Sequence, residues 1–512
     1  MNLLTRAATA VVAVVTFAGC HSSDAVAPGT SSFAIRNEVV TVNPSGYAPL
    51  TANIHAETDA STTVSLKVTG KHGALCDVVK TFTDAGTVHN VPILGLYADA
   101  DNKVELVFKS ASGDEVGRKT YTLRTAALPA TTFPLITIDT RRDSLMADGM
   151  TLVSYFRYGT VTSPVHRFIF DRFGDIRWFL DYATHPTLKS LFYDNGIERL
   201  KNGHWYFGDN ATSAIYEVDV LGNVVNTFPL PGYKFHHQVL EKPNGNFLVS
   251  VSIDGASTSE DVIVEIDRST RQIITTWDLR TSLQVGRRTL SSNVEDWLHV
   301  NGLAYDASDN TIIVSGRTQG LFKLTAANRV VWIMGAYRGW GTAGDGTDLR
   351  TVLLTPLDRN GAPITDPLVL DGTANHPDFE WNWYQHAPKL LPNGHIMLVD
   401  NGDNRNFGAS PSYSRAVEYV VDNQARTVKQ VWTCGKEGGT ATYSRIASDV
   451  DLLDGGTHVV WSPGAIGGAS PSGKVIELDY ATQQVLFEAT MIPPTALFGI
   501  TMHRTERLNL YP

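Results

Sequence analysis

One hairpin pattern recurs along most of this chain, and it constrains the fold more than any other feature of the sequence. Each copy consists of an apolar strand, a turn and a second strand that ends in an aromatic residue. The six copies read "FIFDRFGDIRW", "IYEVDVLGNVVNTF", "VIVEIDRSTRQIITTW", "LFKLTAANRVVW", "AVEYVVDNQARTVKQVW" and "VIELDYATQQVLF". A short repeated unit cannot bury its own apolar face, so successive copies are expected to stack on one another.

A second hairpin precedes each copy. Its turn reads "ADGM", "KNGH", "PNGN", "SDNT", "PNGH" or "DGGT" in the successive units, and the Asn-Gly turns among these suit two-residue hairpins. Four strands in each of six units, without a helical periodicity of any length, predict a six-bladed β-propeller. The alternative is an open array of β-sheets. A closed ring is favoured over it because closure leaves no exposed strand edges.

The chain that precedes the repeats has a different pattern. Residues 33–128 alternate apolar and polar positions in short runs such as "VSLKVTG", "VELVFKS" and "KTYTLRT", which predicts a small N-terminal β-sandwich domain. The stretch "AALPATTFP" then reads as a linker, and the propeller domain is expected to span residues 129–512. With 512 residues and 43% apolar content the all-β chain can bury a large core.

The first 20 residues predict export. The stretch "MNLLTRAATAVVAVVTFAGC" has one arginine, a short apolar run and small residues before Cys20, as in a signal peptide, and the run is too short to span a bilayer. The segment resembles a bacterial lipoprotein signal, which implies a lipid on Cys20 and residues 21–32 as a flexible tether. The expected location is the periplasm, with an outer-membrane anchor through that lipid. An ordinary cleaved signal would leave the protein free in the periplasm.

Charge and cysteine content narrow the classes of partner. The net charge of −10 gives no electrostatic support for a nucleic acid or for a polybasic membrane contact, so a small molecule is the expected ligand. Cys76 and Cys434 are far apart and lack zinc-site spacing. They are expected to be two separate buried thiols.

The propeller prediction places one residue of each blade at a shared rim. The first strand of every blade lines the central channel, so residues at one offset from the inner turn should meet there. Counting back from the turns of the second to sixth blades gives Asn195, His237, a position near His299, His386 and Ser448. The first blade gives Arg141 or Arg142 in poor register. Strand alternation selects His237 over its neighbour His236.

Three imidazoles at a channel rim indicate chemistry, because a rim has no structural need for them. No HExxH or EF-hand spacing supports a metal site, and no nucleophile elbow supports a serine hydrolase. A transferase with a covalent histidine fits best, since "HVNGLAYDASDNTIIVSGR" adds the amide of Asn301 and the guanidinium of Arg317. The aromatic neighbours either form walls for a flat ring or seal the blades. They are Phe235, Trp297, Trp383 and Tyr384.

These residues carry a resemblance to a known family. The stretches "NPSGYAPLTA", "GLYADADNKVEL", "FHHQVLEKPNGN", "DWLHVNGLAYDASDNTIIVSGR" and "QHAPKLLPNGHIMLVDNGD" resemble the bacterial arylsulfate sulfotransferases over nearly all the chain after the signal. The resemblance implies a six-bladed propeller that moves a sulfuryl group from a phenolic sulfate ester to another phenol. It implies no cofactor, since phosphoadenosine phosphosulfate is not used, and it implies a homodimer.

The resemblance also implies roles for single residues. His386 matches the histidine that becomes sulfated, His237 and His299 match two further active-site histidines, and these two are not distinguished as acid or base. Asn301 and Arg317 match groups that hold the sulfuryl oxygens. The hydroxyl residue that the family carries in the last blade falls between Ala447 and Ser448. The alternative functions are an aryl sulfate ester hydrolase and a non-catalytic ligand-binding propeller.

Overall fold

The computed structural model describes residues 33–129, 133–158, 166–191, 196–453, 455–494 and 497–512, and their regular structure is almost entirely β-strand. The α-helices of the described residues are two short turns, α1 (Leu279–Ser282) and α2 (Pro367–Asp371). The 3-10 turns are Ala74–Cys76, Leu188–Ser190, Leu349–Val352, Arg405–Gly408 and Lys436–Ala441. The all-β prediction is confirmed.

The N-terminal domain is one five-stranded sheet whose buried face shares an apolar core with the neighbouring blades. Its strands are β1 (Ile35–Val42), β2 (Ala52–Val68), β3 (Val78–Ile93), β4 (Asp101–Lys109) and β5 (Glu115–Arg124). The long strand β2 pairs with β1 through its first half and with β4 through its second half, while β3 follows it along both halves. Every second residue of β2 is buried in each half, as the alternation in the sequence predicts.

Six further sheets follow, each with four antiparallel strands in sequence order except at the ring closure. Blade 1 contains β7 (Met150–Tyr158), β8 (Phe168–Phe170), β9 (Ile176–Phe179) and β31 (Gly499–Leu508). Blade 2 contains β10 (Glu198–Arg199), β11 (Trp205–Asp209), β12 (Ala214–Val218) and β13 (Val224–Pro229). Blade 3 contains β14 (Tyr233–Glu241), β15 (Phe247–Ile253), β16 (Val262–Ile266) and β17 (Ile273–Asp278).

The remaining three sheets have the same order. Blade 4 contains β18 (Val300–Asp306), β19 (Thr311–Gly316), β20 (Gly320–Thr325) and β21 (Val330–Met334). Blade 5 contains β23 (His386–Leu390), β24 (Ile396–Asp400), β25 (Arg415–Asp422) and β26 (Thr427–Cys434), with β22 (Thr355–Leu357) parallel to β26. Blade 6 contains β27 (Asp449–Leu452), β28 (His458–Ser462), β29 (Gly473–Asp479) and β30 (Val485–Ile492), with β6 (Leu135–Arg141) added beyond β30.

The inner strand of blade 1 differs from the sequence prediction. The hairpin count makes β6 and the "ADGM" turn the inner hairpin of that blade, but β31 from the C-terminus pairs with β7 instead. Strand β6 pairs with β30 at the outer edge of blade 6, where the Arg141 guanidinium lies 3.8 Å from the centre of the Phe173 ring. The assignment of Arg141 or Arg142 to the rim is therefore wrong. Strands β6 and β31 have similar sequence patterns, and either pattern suits the inner position of blade 1. The local sequence therefore does not show which of them occupies it.

Large apolar side chains between neighbouring blades form the core. Phe235 of blade 3 is 1% exposed and lies flat against Gly208 of blade 2, where a methyl group would meet the ring at 2.2 Å. Tyr206 and Phe247 pack across the same interface with ring centres 5.3 Å apart. Such contacts fix the position of each inner strand relative to the next.

Two further expectations concern cysteines and membrane segments. Cys76 and Cys434 are free and buried, which confirms the prediction of two separate thiols. Burial raises the pKa of Cys76 to about 11 and that of Cys434 to about 12, so both stay protonated at neutral pH. None of the helices formed by the described part of the chain has the length and apolar character that crossing a membrane requires. Cys20 and Asn195 lie outside the described residues.

Candidate active site

The inner strands share a backbone irregularity at one level. The pairing register shifts within β14, β18, β23 and β31. Left-handed φ angles occur in two of these bulges, at His237 (54°) and Ala387 (50°), and just before β18 and β27, at His299 (57°) and Ala447 (58°). Such angles are uncommon outside glycine and persist where the surrounding structure imposes them. A bulge also re-aims a side chain, and these bulges turn inner-strand side chains toward one site.

His386 has a defined tautomer. Its Nδ1 atom lies 3.0 Å from the carbonyl oxygen of Tyr384 and 2.7 Å from Oδ1 of Asn401. Both partners accept hydrogen bonds, so Nδ1 carries the hydrogen. The other ring nitrogen, Nε2, accepts from the backbone N–H of Ala447 at 3.3 Å. Neutral His386 therefore carries its lone pair on Nε2, where the Ala447 N–H donates to it.

The surroundings also fix the charge of His386. Burial lowers its pKa well below the usual range, and the positive charge of Arg317 lowers it further. An imidazole in this state is neutral at pH 7 and can act as a nucleophile without losing a proton first.

The guanidinium of Arg317 makes few polar contacts within the described residues. Its backbone N–H donates to the His299 carbonyl oxygen at 3.0 Å, which fixes the start of the side chain. The guanidinium lies 3.6 Å from Oδ2 of Asp296 and 5.8 Å from the centre of the Tyr384 ring. Its Nε atom is buried and has no hydrogen-bond partner within the described ranges. A buried donor without a partner is costly, so this group is suited to an anionic ligand.

Asn301 lies in the bulge of β18, beside the same space. Its Nδ2 atom donates to the carbonyl oxygen of Gln385 at 2.8 Å, which leaves the second N–H of the amide for a ligand. Its Oδ1 atom is buried and has no hydrogen-bond partner in the described part of the chain. Asn301 and Arg317 thus both present uncommitted polar atoms.

The structure brings together the three histidines that the sequence placed at the rim. Nε2 of His237 lies 3.0 Å from Nε2 of His299, and the His237 ring centre lies 6.4 Å from that of His386. His299 and Arg317 are also close enough to affect the charge of His386. The site therefore contains a neutral imidazole, a partly unsatisfied guanidinium and a hydrogen-bonded imidazole pair.

Two carboxylates that sequence reasoning missed hold this pair from behind. Nδ1 of His299 lies 2.6 Å from Oε2 of Glu260 and 2.8 Å from Oδ2 of Asp296. Burial alone would lower the pKa of His299, but the charge of Glu260 and the hydrogen bond that His299 donates to Asp296 raise it above the usual range. Neither carboxylate belongs to a repeated hairpin, so hairpin spacing gives no signal for them.

His236 lies beside the site, and the expectation that strand alternation would turn it away is wrong. Its Nε2 atom lies 2.6 Å from Oε1 of Glu260, and its ring centre is 4.0 Å from that of His237. The register shift between Phe235 and Val239 interrupts the alternation on which the expectation rested.

The spacing of this cluster alone would allow a metal ion. Donor atoms of His236, His237 and Glu260 lie within 4.8 Å of one another, as do those of Glu260, Asp296 and His299. Ring nitrogens of His236 and His299 already lie 2.6 to 2.8 Å from carboxylate oxygens of this cluster. These pairs account for the clustering without an ion.

Two family models match most of the chain. The arylsulfotransferase (ASST) model matches residues 136–496, and the arylsulfotransferase Ig-like domain model matches residues 39–126. The chain belongs to the arylsulfotransferase family. The resemblance to arylsulfate sulfotransferases is confirmed, and as a member of this family the protein is an aryl-sulfate sulfotransferase enzyme.

Two curated relatives extend over most of the chain. Arylsulfate sulfotransferase AssT of Escherichia coli O6:H1 is 28% identical over 88% of this chain and 90% of its own length. Arylsulfate sulfotransferase AssT of Lelliottia amnigena gives the same identity and coverage, 28%, 88% and 90%. Among solved structures, a virginiamycin B lyase from Staphylococcus aureus is 10% identical and covers 70% of this chain and 99% of its own, with a TM-score of 0.33.

The aromatic residues proposed as walls of this arylsulfotransferase site divide into two groups. Phe235 and Trp383 are 1% and 2% exposed and pack in apolar clusters between blades. They seal the blades. Tyr384 differs, because its ring faces the Arg317 guanidinium and its hydroxyl donates to the carbonyl oxygen of Leu290 at 3.0 Å. Tyr384 therefore lies at the edge of the site.

Ser448 lies next to the site, but its hydroxyl is used elsewhere. The Oγ atom donates to Oγ of Ser444 at 3.0 Å and accepts from the N–H of Gly464 at 3.0 Å. The backbone N–H of Ala447 faces Nε2 of His386 instead. In this chain the last blade thus presents an amide donor to His386, where the resemblance implies a hydroxyl.

His503 is a fourth histidine of the inner strands that sequence reasoning missed. It is the extra residue in the bulge of β31 between Met502 and Arg504. Its ring centre lies 5.7 Å from that of His237 and 4.9 Å from that of Phe156. The exchange of β6 for β31 explains the omission, because the rim position of blade 1 belongs to the C-terminal strand.

Proposed function

We propose that this enzyme transfers a sulfuryl group from an aryl sulfate ester to a phenolic acceptor by a ping-pong mechanism through a sulfohistidine at His386. The carrying observation is the state of His386. Its Nδ1 atom is held by two carbonyl oxygens, its lone pair is on Nε2, where the Ala447 N–H donates to it, and the positive charge of Arg317 lies close enough to lower its pKa. A neutral nucleophile next to an unsatisfied cation suits attack on an anionic ester.

In the first half-reaction Nε2 of His386 attacks the sulfur atom of the donor. The bond from sulfur to the aryl oxygen breaks, and that oxygen takes its electron pair and a proton from the imidazole pair of His237 and His299. The phenol leaves. Arg317 and the free N–H of Asn301 stabilise the charge on the remaining sulfuryl oxygens, as cations do in phosphoryl transfer.

In the second half-reaction the acceptor phenol occupies the place of the first. The imidazole pair takes the proton of the acceptor hydroxyl, the phenolic oxygen attacks sulfur, and the bond from sulfur to Nε2 of His386 breaks. The new aryl sulfate leaves, and His386 is neutral again. The donor itself supplies the sulfuryl group, so phosphoadenosine phosphosulfate enters neither step.

Adding an acceptor tests the proposal. With a donor such as 4-nitrophenyl sulfate, a second phenol should accelerate nitrophenol release and give a new sulfate ester in equal amount. Release that the second phenol does not change, with inorganic sulfate as the product, would mean that the protein is a hydrolase. Binding without any release would mean that it is a ligand-binding propeller.

A further inference from the structure

We propose that Glu260 and Asp296 are positioning residues that keep a proton on His299 and so make His299, and not His237, the acid that protonates the leaving phenol. This inference deepens the proposed function and rests on it. It begins from an asymmetry within the imidazole pair: the two carboxylates contact the far side of one ring, at Nδ1 of His299.

The contacts of His299 determine where its hydrogens are. Asp296 Oδ2 accepts from Nδ1 of His299 at 2.8 Å, and Glu260 Oε2 lies 2.6 Å from the same atom, so Nδ1 of His299 carries a hydrogen. Across the pair, two Nε2 atoms face each other at 3.0 Å, and one of them must donate to the other. Because a carboxylate stabilises an imidazolium, the second hydrogen belongs on Nε2 of His299.

Glu260 is held firmly in this role. Its backbone N–H donates to Oγ of Ser252 at 2.8 Å, and its carbonyl oxygen accepts from the N–H of Val300 at 2.8 Å. Its φ angle is 56°, a conformation that a non-glycine residue keeps where its surroundings impose it. Its second carboxylate oxygen contacts His236 at 2.6 Å. The carboxylate thus cannot turn away from His299 without breaking several contacts.

The charges around His299 come from several elements. The titratable and charged groups that face it are Glu260, Asp296, His236, His237, Arg317 and His386. Burial and Arg317 would lower the pKa of His299, and the two carboxylates raise it above its usual range. The pKa of His386 is lowered in the same site. Two imidazoles with pKa values moved apart are the arrangement that an acid and a nucleophile need.

The bond from sulfur to the aryl oxygen breaks as the bond from Nε2 of His386 to sulfur forms. The aryl oxygen keeps the electron pair of the broken bond, replaces Nε2 of His237 as the acceptor of the hydrogen on Nε2 of His299 and takes that hydrogen. His299 becomes neutral, and its Nδ1–H stays on the carboxylate side. In the return step Nε2 of His299 takes the hydrogen of the acceptor phenol.

The test compares two donors in Glu260→Gln and in Asp296→Asn. Phenyl sulfate has a poor leaving group that needs a proton, whereas 4-nitrophenyl sulfate releases a stable anion that needs none. Glu260→Gln should slow phenol release from phenyl sulfate by about 10²-fold, and from 4-nitrophenyl sulfate by less than about tenfold. Asp296→Asn should also slow release from phenyl sulfate more than release from 4-nitrophenyl sulfate, but by a smaller factor than Glu260→Gln. The preserved reaction with the activated donor also shows that the variant is folded.

Glu265→Gln is a matched control. Glu265 is a buried carboxylate of the same strand region, five residues further along, and it pairs with Lys242 at 2.9 Å. Its change should leave the ratio of the two donor rates as in the wild type. A second measurement is the pH profile with phenyl sulfate: loss of the Glu260 charge lowers the pKa of His299, so the alkaline limb should move to lower pH.

The outcomes separate this inference from the proposed function. Equal losses with both donors in Glu260→Gln, or an unmoved alkaline limb, would refute the positioning role. A leaving-group dependence in His237→Ala that is absent in Glu260→Gln would assign the acid to His237. A wild-type enzyme that makes no new ester from either donor would refute the proposed function, and with it this inference.

Discussion

His386 and His299 carry the same side chain with pKa values shifted in opposite directions, and the atoms at Nδ1 help to explain the difference. Neutral carbonyl oxygens hold Nδ1 of His386, whereas two carboxylates hold Nδ1 of His299. A carboxylate stabilises a positive ring and a carbonyl oxygen does so far less, so burial dominates at His386. In the proposed mechanism, a few atoms behind each ring thus distinguish the nucleophile from the acid.

Arg317→Lys tests the geometry of the anion contact at this scale. Lysine keeps the charge but loses the planar fork that can contact two sulfuryl oxygens. We expect turnover of an aryl sulfate to fall by about 10²-fold or more, the cost of losing an aligned donor to a developing charge. Steady-state kinetics measure it, and Arg350→Lys at an exposed position is the control. Unchanged turnover would mean that charge alone is required.

Single residues were predictable from the sequence where a hairpin fixed their register. His237 and His386 precede matching turns, and His299 follows from the same count with a longer turn. Glu260 and Asp296 lie in loops without repeated spacing, so their proximity to His299 depends on tertiary structure alone. The direction of the His236 side chain depends on the bulge, and an alternating sequence pattern gives no indication of a bulge.

At the scale of elements, the inner strands combine regular pairing with one irregular level. Regular pairing holds each inner strand against the next strand of its blade. The bulges interrupt the two-residue alternation, so that side chains at this level can point into the channel. The Asn-Gly turns made the hairpins readable from sequence. The strand that pairs with β6 could not be predicted from the sequence, because an alternating strand fits the inner edge of blade 1 and the outer edge of blade 6 equally well.

Close packing between blades predicts a stability effect at Gly208. A methyl group there would meet the Phe235 ring at 2.2 Å, so Gly208→Ala must displace either the ring or β11. We expect a loss of about 1–3 kcal/mol, as for other overpacked cores, measured by thermal or denaturant unfolding. Gly286→Ala is the control, since no atom lies within 4 Å of the added methyl group. Equal stability of both variants would contradict this packing.

At the scale of the whole molecule, the two ends of the propeller domain close the ring together. Strand β31 completes blade 1 and β6 extends blade 6. Further along the inner strands lies a polar cavity of about 160 Å³ whose walls come from several blades. Its lining includes Glu198, Lys389, Asp449, Asp451, Arg504 and Glu506. Lys389 pairs with Asp451 at 2.9 Å, which links blades 5 and 6.

Glu506 makes stability depend on pH. Burial, with the nearby carboxylates, raises its pKa from 4.5 to about 7. A raised pKa means that the folded state holds the proton more tightly. This contribution is therefore complete below pH 4.5 and is lost as pH rises through about 7. Glu506→Gln should raise the free energy of unfolding more at pH 8 than at pH 5, by up to about 3 kcal/mol, and the melting temperature with it. Calorimetry of this variant and of exposed Glu437→Gln measures the difference. An equal gain at both pH values would contradict the assignment.

We propose that the protein is exported and held at the outer membrane by a lipid on Cys20. The support is the sequence layout alone: a short apolar run and small residues that end at this cysteine. Cys20→Ala should move the enzyme from the membrane fraction to the soluble periplasmic fraction with its activity intact. Fractionation with an activity assay tests this, and a variant that stays with the membranes would refute the anchor.

The central claim is a covalent sulfuryl group on His386. The most direct measurement mixes the enzyme with 4-nitrophenyl sulfate without an acceptor, quenches rapidly and determines the intact mass. The account predicts a burst of nitrophenol, a mass increase of one SO3 group, and an adduct in the peptide around "YQHAPK" when digestion is done at neutral to alkaline pH. His386→Ala should lose burst and adduct together. An adduct on His237 or His299, or undiminished transfer with no adduct at all, would contradict it.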